Sequence, residues 1–67
     1  MKIYGYALHI IGGRGCFDDF ETRDELIEAL KYRGLPLSLA DFDGKVPDKY
    51  GMVKNQYQNA SAIAYYG

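Results

Sequence analysis

TRDELIEALKYRG, the stretch from Thr22 to Gly34, carries signals for both the start and the end of a helix. The Thr22 hydroxyl can accept a hydrogen bond from the amide of Glu25, and the Glu25 carboxylate can accept one from the amide of Thr22, which is a capping box. Gly34 is the residue type that most often follows a helix, because it adopts the left-handed conformation without strain. The stretch therefore predicts a helix with defined ends.

The segment before this helix predicts a β-hairpin. Lys2 to Ile11 is dense in Tyr, Ile and Leu, and its even-numbered residues from Tyr4 to Ile10 share one face of an extended strand. We expect this strand to be central in the sheet. The Gly-rich stretch 12–15 predicts a turn, after which Cys16 to Phe20 returns as a short edge strand whose charges discourage pairing with other chains.

Four segments follow the helix. Leu35 to Asp43 alternates leucines with smaller residues and predicts a third strand, and Gly44 to Gly51 combines Gly, Pro and charge and predicts a loop. Met52 to Tyr57 and Ser61 to Tyr66 predict two short strands, although an irregular helix over residues 53–65 also fits.

These segments together predict an α+β fold. Its sheet has three or four mainly antiparallel strands in the order β-β-α-β, and one helix packs on it through Leu26, Ile27 and Leu30. With 67 residues the chain is a single small domain, residues 1–67, which buries only about 60% of the surface of its unfolded form. A core of this size gains from binding a partner.

Composition narrows the class of protein. The single cysteine forms no internal disulfide, and no Cys and His residues have metal-ligand spacing, so we expect neither a metal nor a cofactor. No apolar stretch approaches the roughly 20 residues that span a bilayer. The N-terminal MKIYGYALHII is not followed by a cleavage site of small residues, and we therefore expect a cytoplasmic protein.

Charge is distributed unevenly along the chain. The formal net charge is -1, which excludes the broad basic field of a protein that coats nucleic acid. Between Cys16 and Glu28 the only positively charged side chain is that of Arg23, whereas six side chains are carboxylates. We call these six the acidic block: Asp18, Asp19, Glu21, Asp24, Glu25 and Glu28. Carboxylates spaced in this way can imitate the phosphates of a DNA strand, which follow one another about every 3.4 Å. Seven tyrosines add candidates for a contact surface.

Other residues suggest more familiar sites. Cys16 and His9 would be a nucleophile and a base if the hairpin brought them together, but no orienting residue or oxyanion donor accompanies them, so we expect no enzyme. The Gly-rich turn at 12–15 would cradle a phosphate, although it lacks the residues of a P-loop and is better explained as a hairpin turn. Asp41 and Asp43 would share a strand face and offer a weak cation site.

The order of these features resembles a known family. An IY-initiated strand, a Gly-rich turn, a short second strand, a helix that begins TRDEL and the stretch LADFDGKVPDKYG are similar to the N-terminal part of ArdA-type antirestriction proteins. The similarity covers about residues 2–51. The positions that match are Asp41, Phe42, Asp43, Pro47, Tyr50 and Gly51.

This resemblance implies a function without catalysis. Members of the family are encoded on phages and plasmids and block type I restriction enzymes by imitating DNA. Because this chain is nearly neutral, whereas those proteins are strongly acidic, we expect only partial mimicry. The prediction is a small inhibitor that binds a host protein of a restriction or CRISPR-type defence system, such as a nucleic-acid-binding complex, without binding nucleic acid or membrane itself. The predicted contact residues are the acidic block with Asp41, Asp43 and Tyr50.

A structural protein is the alternative to this inhibitor. Sheet edges and tyrosines would then hold copies of the chain together in a homo-oligomer, with no foreign target.

Overall fold

The computed structural model describes residues 2–67, which form an α+β fold. The strands in this range are β1 (Ile3–Ile10), β2 (Cys16–Phe20), β3 (Met52–Tyr57) and β4 (Ala60–Tyr66), with helix α1 (Arg23–Tyr32) after β2. A short 3₁₀ helix, Leu37–Ala40, lies between α1 and β3. The predicted fold class is confirmed, as are the helix and the two C-terminal strands.

The sheet joins two hairpins. Its strand order is β2-β1-β4-β3, and every neighbouring pair is antiparallel. The first and last strands of the chain therefore pair at the centre, while β2 and β3 lie at opposite edges. This arrangement confirms the central position predicted for β1 and the edge position predicted for β2.

A β-bulge near the start of β1 changes the face of one tyrosine. Ile3 pairs with Tyr66 and Gly5 pairs with Tyr65, so the register of β1 against β4 shifts between them. Ile3 packs against the core, whereas the ring of Tyr4 stacks on that of Tyr65. The prediction that Tyr4 shares a face with the later even-numbered residues of β1 is wrong, because the extra residue of the bulge reverses the alternation.

The ends of α1 follow the capping signals closely. The amide of Glu25 donates to the Thr22 hydroxyl over 3.2 Å, but the Glu25 carboxylate accepts from that hydroxyl rather than from the Thr22 amide. Gly34 has a φ of 68° and the Leu35 amide donates to the Leu30 carbonyl over 2.9 Å, which is the Schellman arrangement. The start signal therefore acts through hydrogen bonds of the Thr22 side chain, and the end signal through backbone hydrogen bonds.

The core lies between the sheet and the elements on one of its faces. Leu26 and Leu30 of α1 are fully buried, while Ile27 is only half-buried at the margin. Besides these leucines, the cluster contains Leu8, Leu39, Ala40, Phe42, Val53, Ala62 and Ala64. The small alanines of β4 allow the 3₁₀ helix to approach the centre of the sheet closely.

The segment Leu35 to Asp43 is not the predicted third strand. Leu39 and Ala40 are adjacent and both are buried, whereas Leu37 is 47% exposed. A strand would send adjacent side chains to opposite faces, so it would leave one of the two in water. The 3₁₀ turn buries both, and it begins after Pro36, whose missing amide is not needed there.

Side chains supply the hydrogen bonds that this 3₁₀ segment would have had in a sheet. The Asn55 amide nitrogen on β3 donates to the carbonyls of Leu39, at 3.0 Å, and Asp41, at 2.7 Å. The Arg23 Nε donates to the carbonyl of Ala40 at 2.8 Å. Three successive carbonyls are thus satisfied, and Asn55 is buried because it holds two of them.

Replacing this asparagine tests how strongly the segment depends on it. We expect Asn55→Ala to lower the free energy of unfolding by about 2 to 3 kcal/mol, because two carbonyls lose their donor. Gln56→Ala, on the exposed face of the same strand, is the matched control and should cost about 0.5 kcal/mol or less. Urea unfolding followed by circular dichroism measures both. Equal losses in the two variants would contradict the role given to Asn55.

Candidate partner-binding surface

The acidic block lies along one edge of the molecule. Asp18 and Asp19 belong to the edge strand β2, and Glu21 lies in the short link that follows it. The remaining three carboxylates are on the first turns of α1, which contacts β2 and β1. Residues separated by up to ten positions in sequence are thereby gathered on one strand and the adjoining helix.

One member of the block has a structural partner. The Asp18 carboxylate lies 3.2 Å from a guanidinium nitrogen of Arg33, at the end of α1. This ion pair connects the helix to β2 and neutralises Asp18 locally. Because both side chains are partly exposed, its contribution to stability is small, of the order of 1 kcal/mol or less.

The other carboxylates have little compensation. Arg23, the cation within the block in sequence, points to the opposite flank of α1, where it bonds the Ala40 carbonyl. Within residues 2–67 the only other ion pair of the block joins Glu28 to Lys31 at 3.8 Å, and both of these side chains are well exposed. Asp19, Glu21 and Asp24 have neither an ion pair nor a side-chain hydrogen bond in that range. The surface therefore carries a local negative field.

A shallow groove follows the outer side of α1. It has a volume of about 590 Å³ and is lined by Phe20, Asp24, Glu25, Glu28, Ala29 and Tyr32. Tyr32 is 88% exposed, which leaves its ring free to contact a partner. Carboxylates beside aromatic and methyl groups suit lysine and arginine side chains, whose stems are apolar and whose tips are charged. We call this feature the α1 groove.

A second cavity lies at the bulge in β1 and has a volume of about 290 Å³. Its lining residues are Tyr4, Gly5, Tyr6, Asp19, Phe20 and Tyr65. The rings of Tyr4 and Tyr65 are stacked, with centroids 6.0 Å apart and planes at 25°. Burial raises the pKa of the Tyr65 hydroxyl, and the negative charge of Asp19 and then the neighbouring Tyr4 raise it further. We call this feature the bulge cavity.

The remaining predicted contact residues lie elsewhere. Asp41 is held beside β3 through Asn55, and its carboxylate accepts the amide of Asp43 at 3.2 Å. Tyr50 is exposed in the loop before β3, with the Lys49 ammonium 5.0 Å from its ring centre. Since β3 and β2 are opposite edges, the predicted contact residues form two separate groups. Asp41 and Asp43 also do not share a strand face, because the segment that carries them is not a strand.

Cys16 and His9 do not form a nucleophile and base pair. Cys16 pairs with Ile10 and His9 pairs with Phe17, so the two side chains point to opposite faces of the sheet. The His9 ring instead packs on Phe17, with centroids 5.3 Å apart.

The Gly-rich turn closes the first hairpin. The Gly15 amide donates to the Gly12 carbonyl over 2.9 Å. The Asn59 side chain, in the other hairpin turn, donates to the Ile11 carbonyl at 2.7 Å and joins the two turns. These hydrogen bonds give the Gly-rich turn and the turn that contains Asn59 a structural role.

Sequence reasoning missed the aromatic half of the surface. Tyr4, Tyr32 and Tyr65 accompany the acidic block, together with Phe20. The number of tyrosines was a signal for such a surface, but it did not indicate which of them are adjacent. The position of Tyr4 depends on the bulge, and the pairing of β1 with β4 brings together residues from the two ends of the chain.

The chain has no detected relative and no metal cluster or membrane-spanning helix in its described part. No family model, no curated protein and no solved structure matches the chain. Across residues 2–67 there is no cluster of three or more metal-ligating side chains. None of the helices in the described range is long and apolar enough to cross a membrane.

The loop that carries Tyr50 is fixed by an aspartate. The Asp48 carboxylate accepts the amides of Tyr50, at 2.9 Å, and Met52, at 3.0 Å. These hydrogen bonds, that of Met52 above all, favour the ionised form and hold the pKa of Asp48 below its usual value of 3.8, while Lys54 and Lys49 act in the same direction. Asp48 therefore connects the predicted loop to the start of β3.

The lowered pKa of Asp48 predicts a pH-dependent contribution to stability. A carboxyl whose pKa is lower in the folded state stabilises fully above its ordinary, unfolded pKa, here 3.8, and loses this effect as the pH falls through the folded value. We expect Asp48→Asn to unfold at a lower urea concentration than the unchanged protein at about pH 7. This gap between the two unfolding midpoints should close at about pH 2. Asp43→Asn is the matched control, and its gap should be small at both pH values. A gap for Asp48→Asn that is independent of pH would contradict the assignment.

Proposed function

We propose that this chain is a small non-enzymatic inhibitor, encoded by a phage or another mobile element, that binds a host defence protein in the cytoplasm. The observation that carries the proposal is the negative surface along β2 and α1, where Asp24 and Glu28 flank the α1 groove and Asp19 lines the bulge cavity. Of these three carboxylates only Glu28 has an ion pair within residues 2–67, a long and exposed one with Lys31. A basic surface that normally contacts nucleic acid is the natural complement of this arrangement.

The size of the molecule limits how far it imitates DNA. Its longest dimension is 33 Å, close to one helical turn of duplex, which is about 34 Å. The acidic block occupies only one edge of that length. It therefore replaces a few phosphates of a binding site rather than a whole duplex, which agrees with the near-zero net charge.

The resemblance to ArdA-type proteins supports a restriction or CRISPR-type defence complex as the target. The segment of the resemblance that lies in the helix, TRDEL, contributes Asp24 and Glu25 to the surface. Its other segment places Asp41 and Asp43 at the far edge of the sheet. The β2 and α1 edge is thus the main contact surface in this proposal.

Charge reversal on one edge tests the proposal against a matched control. Asp24→Lys with Glu28→Lys changes the net charge by +4 and spares the contact of Glu25 with Thr22. Asp41→Lys with Asp43→Lys makes the same change at the opposite edge. We expect the first double variant to retain its partner from a host extract about 100-fold more weakly, because like charges then face each other, and the second to retain it nearly unchanged.

The measurement is retention of a host complex on the immobilised protein at low and high salt, followed by identification of that complex. Retention should fall as salt rises, since exposed charges are screened over about 8 Å at physiological ionic strength. Circular dichroism verifies that both double variants are folded. Unchanged binding by the Asp24 and Glu28 variant, or equal loss in both variants, would contradict a site at this edge.

A homo-oligomer is the second candidate function. The observation that favours it is the sheet face opposite α1, where Tyr4 and Phe17 are largely exposed within the described chain. A second copy would cover this face or extend the sheet at the β3 edge.

Protein concentration distinguishes this second candidate. If copies associate, sedimentation between about 10 and 500 μM should show a rising mass, and the midpoint of thermal unfolding should rise with concentration. A mass that stays that of one chain across this range would contradict the homo-oligomer.

A further inference from the structure

The bulge cavity combines two features that attract a cation. The faces of aromatic rings carry negative electrostatic potential, and the rings of Tyr4 and Tyr65 are stacked there. Asp19 adds a carboxylate to the same lining, and it has no ion pair or side-chain hydrogen bond within residues 2–67. Both features therefore favour the same sign of charge.

The size of the cavity fits one side chain. Small-molecule sites usually occupy about 300 to 1,000 Å³, and this cavity, at about 290 Å³, is just below that range. Its floor is open because residue 5 is glycine. A Cβ there would stand 3.5 Å from the Phe20 carbonyl and 3.9 Å from the Tyr65 ring, so a larger residue would extend into the cavity without displacing the backbone.

We propose that the bulge cavity binds an arginine side chain of the partner protein, with the guanidinium against the tyrosine rings and hydrogen-bonded to the Asp19 carboxylate. Arginine suits the site better than lysine, because its planar guanidinium stacks on rings and bonds a carboxylate through two nitrogens. The inference rests on the proposed function and names the chemistry of the partner.

The position of the cavity indicates how the partner continues. Phe20 lines both the bulge cavity and the α1 groove, so the two are adjacent. The residues next to an arginine inserted beside Asp19 are therefore close enough to contact Asp24 and Glu28. In this proposal the partner segment is basic and has one anchoring arginine.

The test uses N-acetyl-arginine amide as the probe and N-acetyl-citrulline amide as its neutral control of the same shape. Two-dimensional NMR of the labelled protein should show saturable shifts at the amides of Tyr4, Gly5, Asp19 and Tyr65 with the arginine compound. The dissociation constant should be of the order of 1 mM, which is typical of a single side chain. The citrulline compound should cause no saturable shift.

Three variants locate the site. Asp19→Asn should weaken binding of the arginine compound about tenfold, because the charged hydrogen-bond partner is lost. Gly5→Leu should abolish binding by filling the cavity, and the dispersion of its NMR spectrum verifies that it is folded. Gln56→Ala changes an exposed residue of β3 outside the lining and should bind as the unchanged protein does.

The outcomes separate this inference from the proposed function. Equal shifts with both compounds, or unchanged binding by Asp19→Asn and Gly5→Leu, would overturn the arginine site whatever the host extract shows. Retention of the host complex by Gly5→Leu, when the Asp24 and Glu28 variant has lost it, would also overturn the site and leave the function standing. If the amide signals of the cavity shift when only the protein concentration is raised, the cavity binds a second copy of the chain. That result would also overturn the arginine site.

Discussion

The hydrogen bonds of Asn55 allow this short chain to cover its sheet with one α-helix. Helix α1 contacts β1 and β2, and the 3₁₀ helix contacts β3 and β4, so each covers half of the same face. A non-strand segment in that position buries carbonyls that no sheet neighbour can satisfy. Asn55 supplies donors to two of them and Arg23 to the one between, and Arg23 thereby also joins the two covering elements.

Much of this fold could be predicted from local patterns. The ends of α1, the first turn and the strand character of β1 depend on neighbours in sequence, and these predictions are confirmed. The second hydrogen bond of the capping box and the face of Tyr4 differ from the prediction. The 3₁₀ segment was wrongly predicted to be a strand. Its alternating leucines are typical of a strand, but here two adjacent residues, Leu39 and Ala40, are both buried. Only the position of Asn55, fourteen or more residues later, makes that conformation favourable.

The candidate site was predictable only in its acidic half, for a similar reason. Carboxylates on β2 and α1 are close in sequence, so their clustering is visible there. The stacking of Tyr4 on Tyr65 depends on a bulge and on pairing between the first and last strands, neither of which a local pattern encodes. The same pairing divides the predicted contact residues, since it places β2 and β3 at opposite edges.

The net charge of the chain does not indicate the charge of this edge, because several cations bond other groups of the protein. Arg23 bonds a carbonyl, Arg33 bonds Asp18 on the side of the sheet that faces α1, and the Lys45 ammonium bonds the Asn55 side chain. Arg23 is thereby turned away from the acidic edge, and Lys45 lies beside β3 at the opposite edge, whereas Arg33 neutralises one carboxylate of the acidic block, Asp18. An approaching partner responds to the charges within about one Debye length, roughly 8 Å, rather than to the sum over the chain. A nearly neutral protein can therefore present an acidic edge when cations such as Arg23 and Lys45 are held away from it.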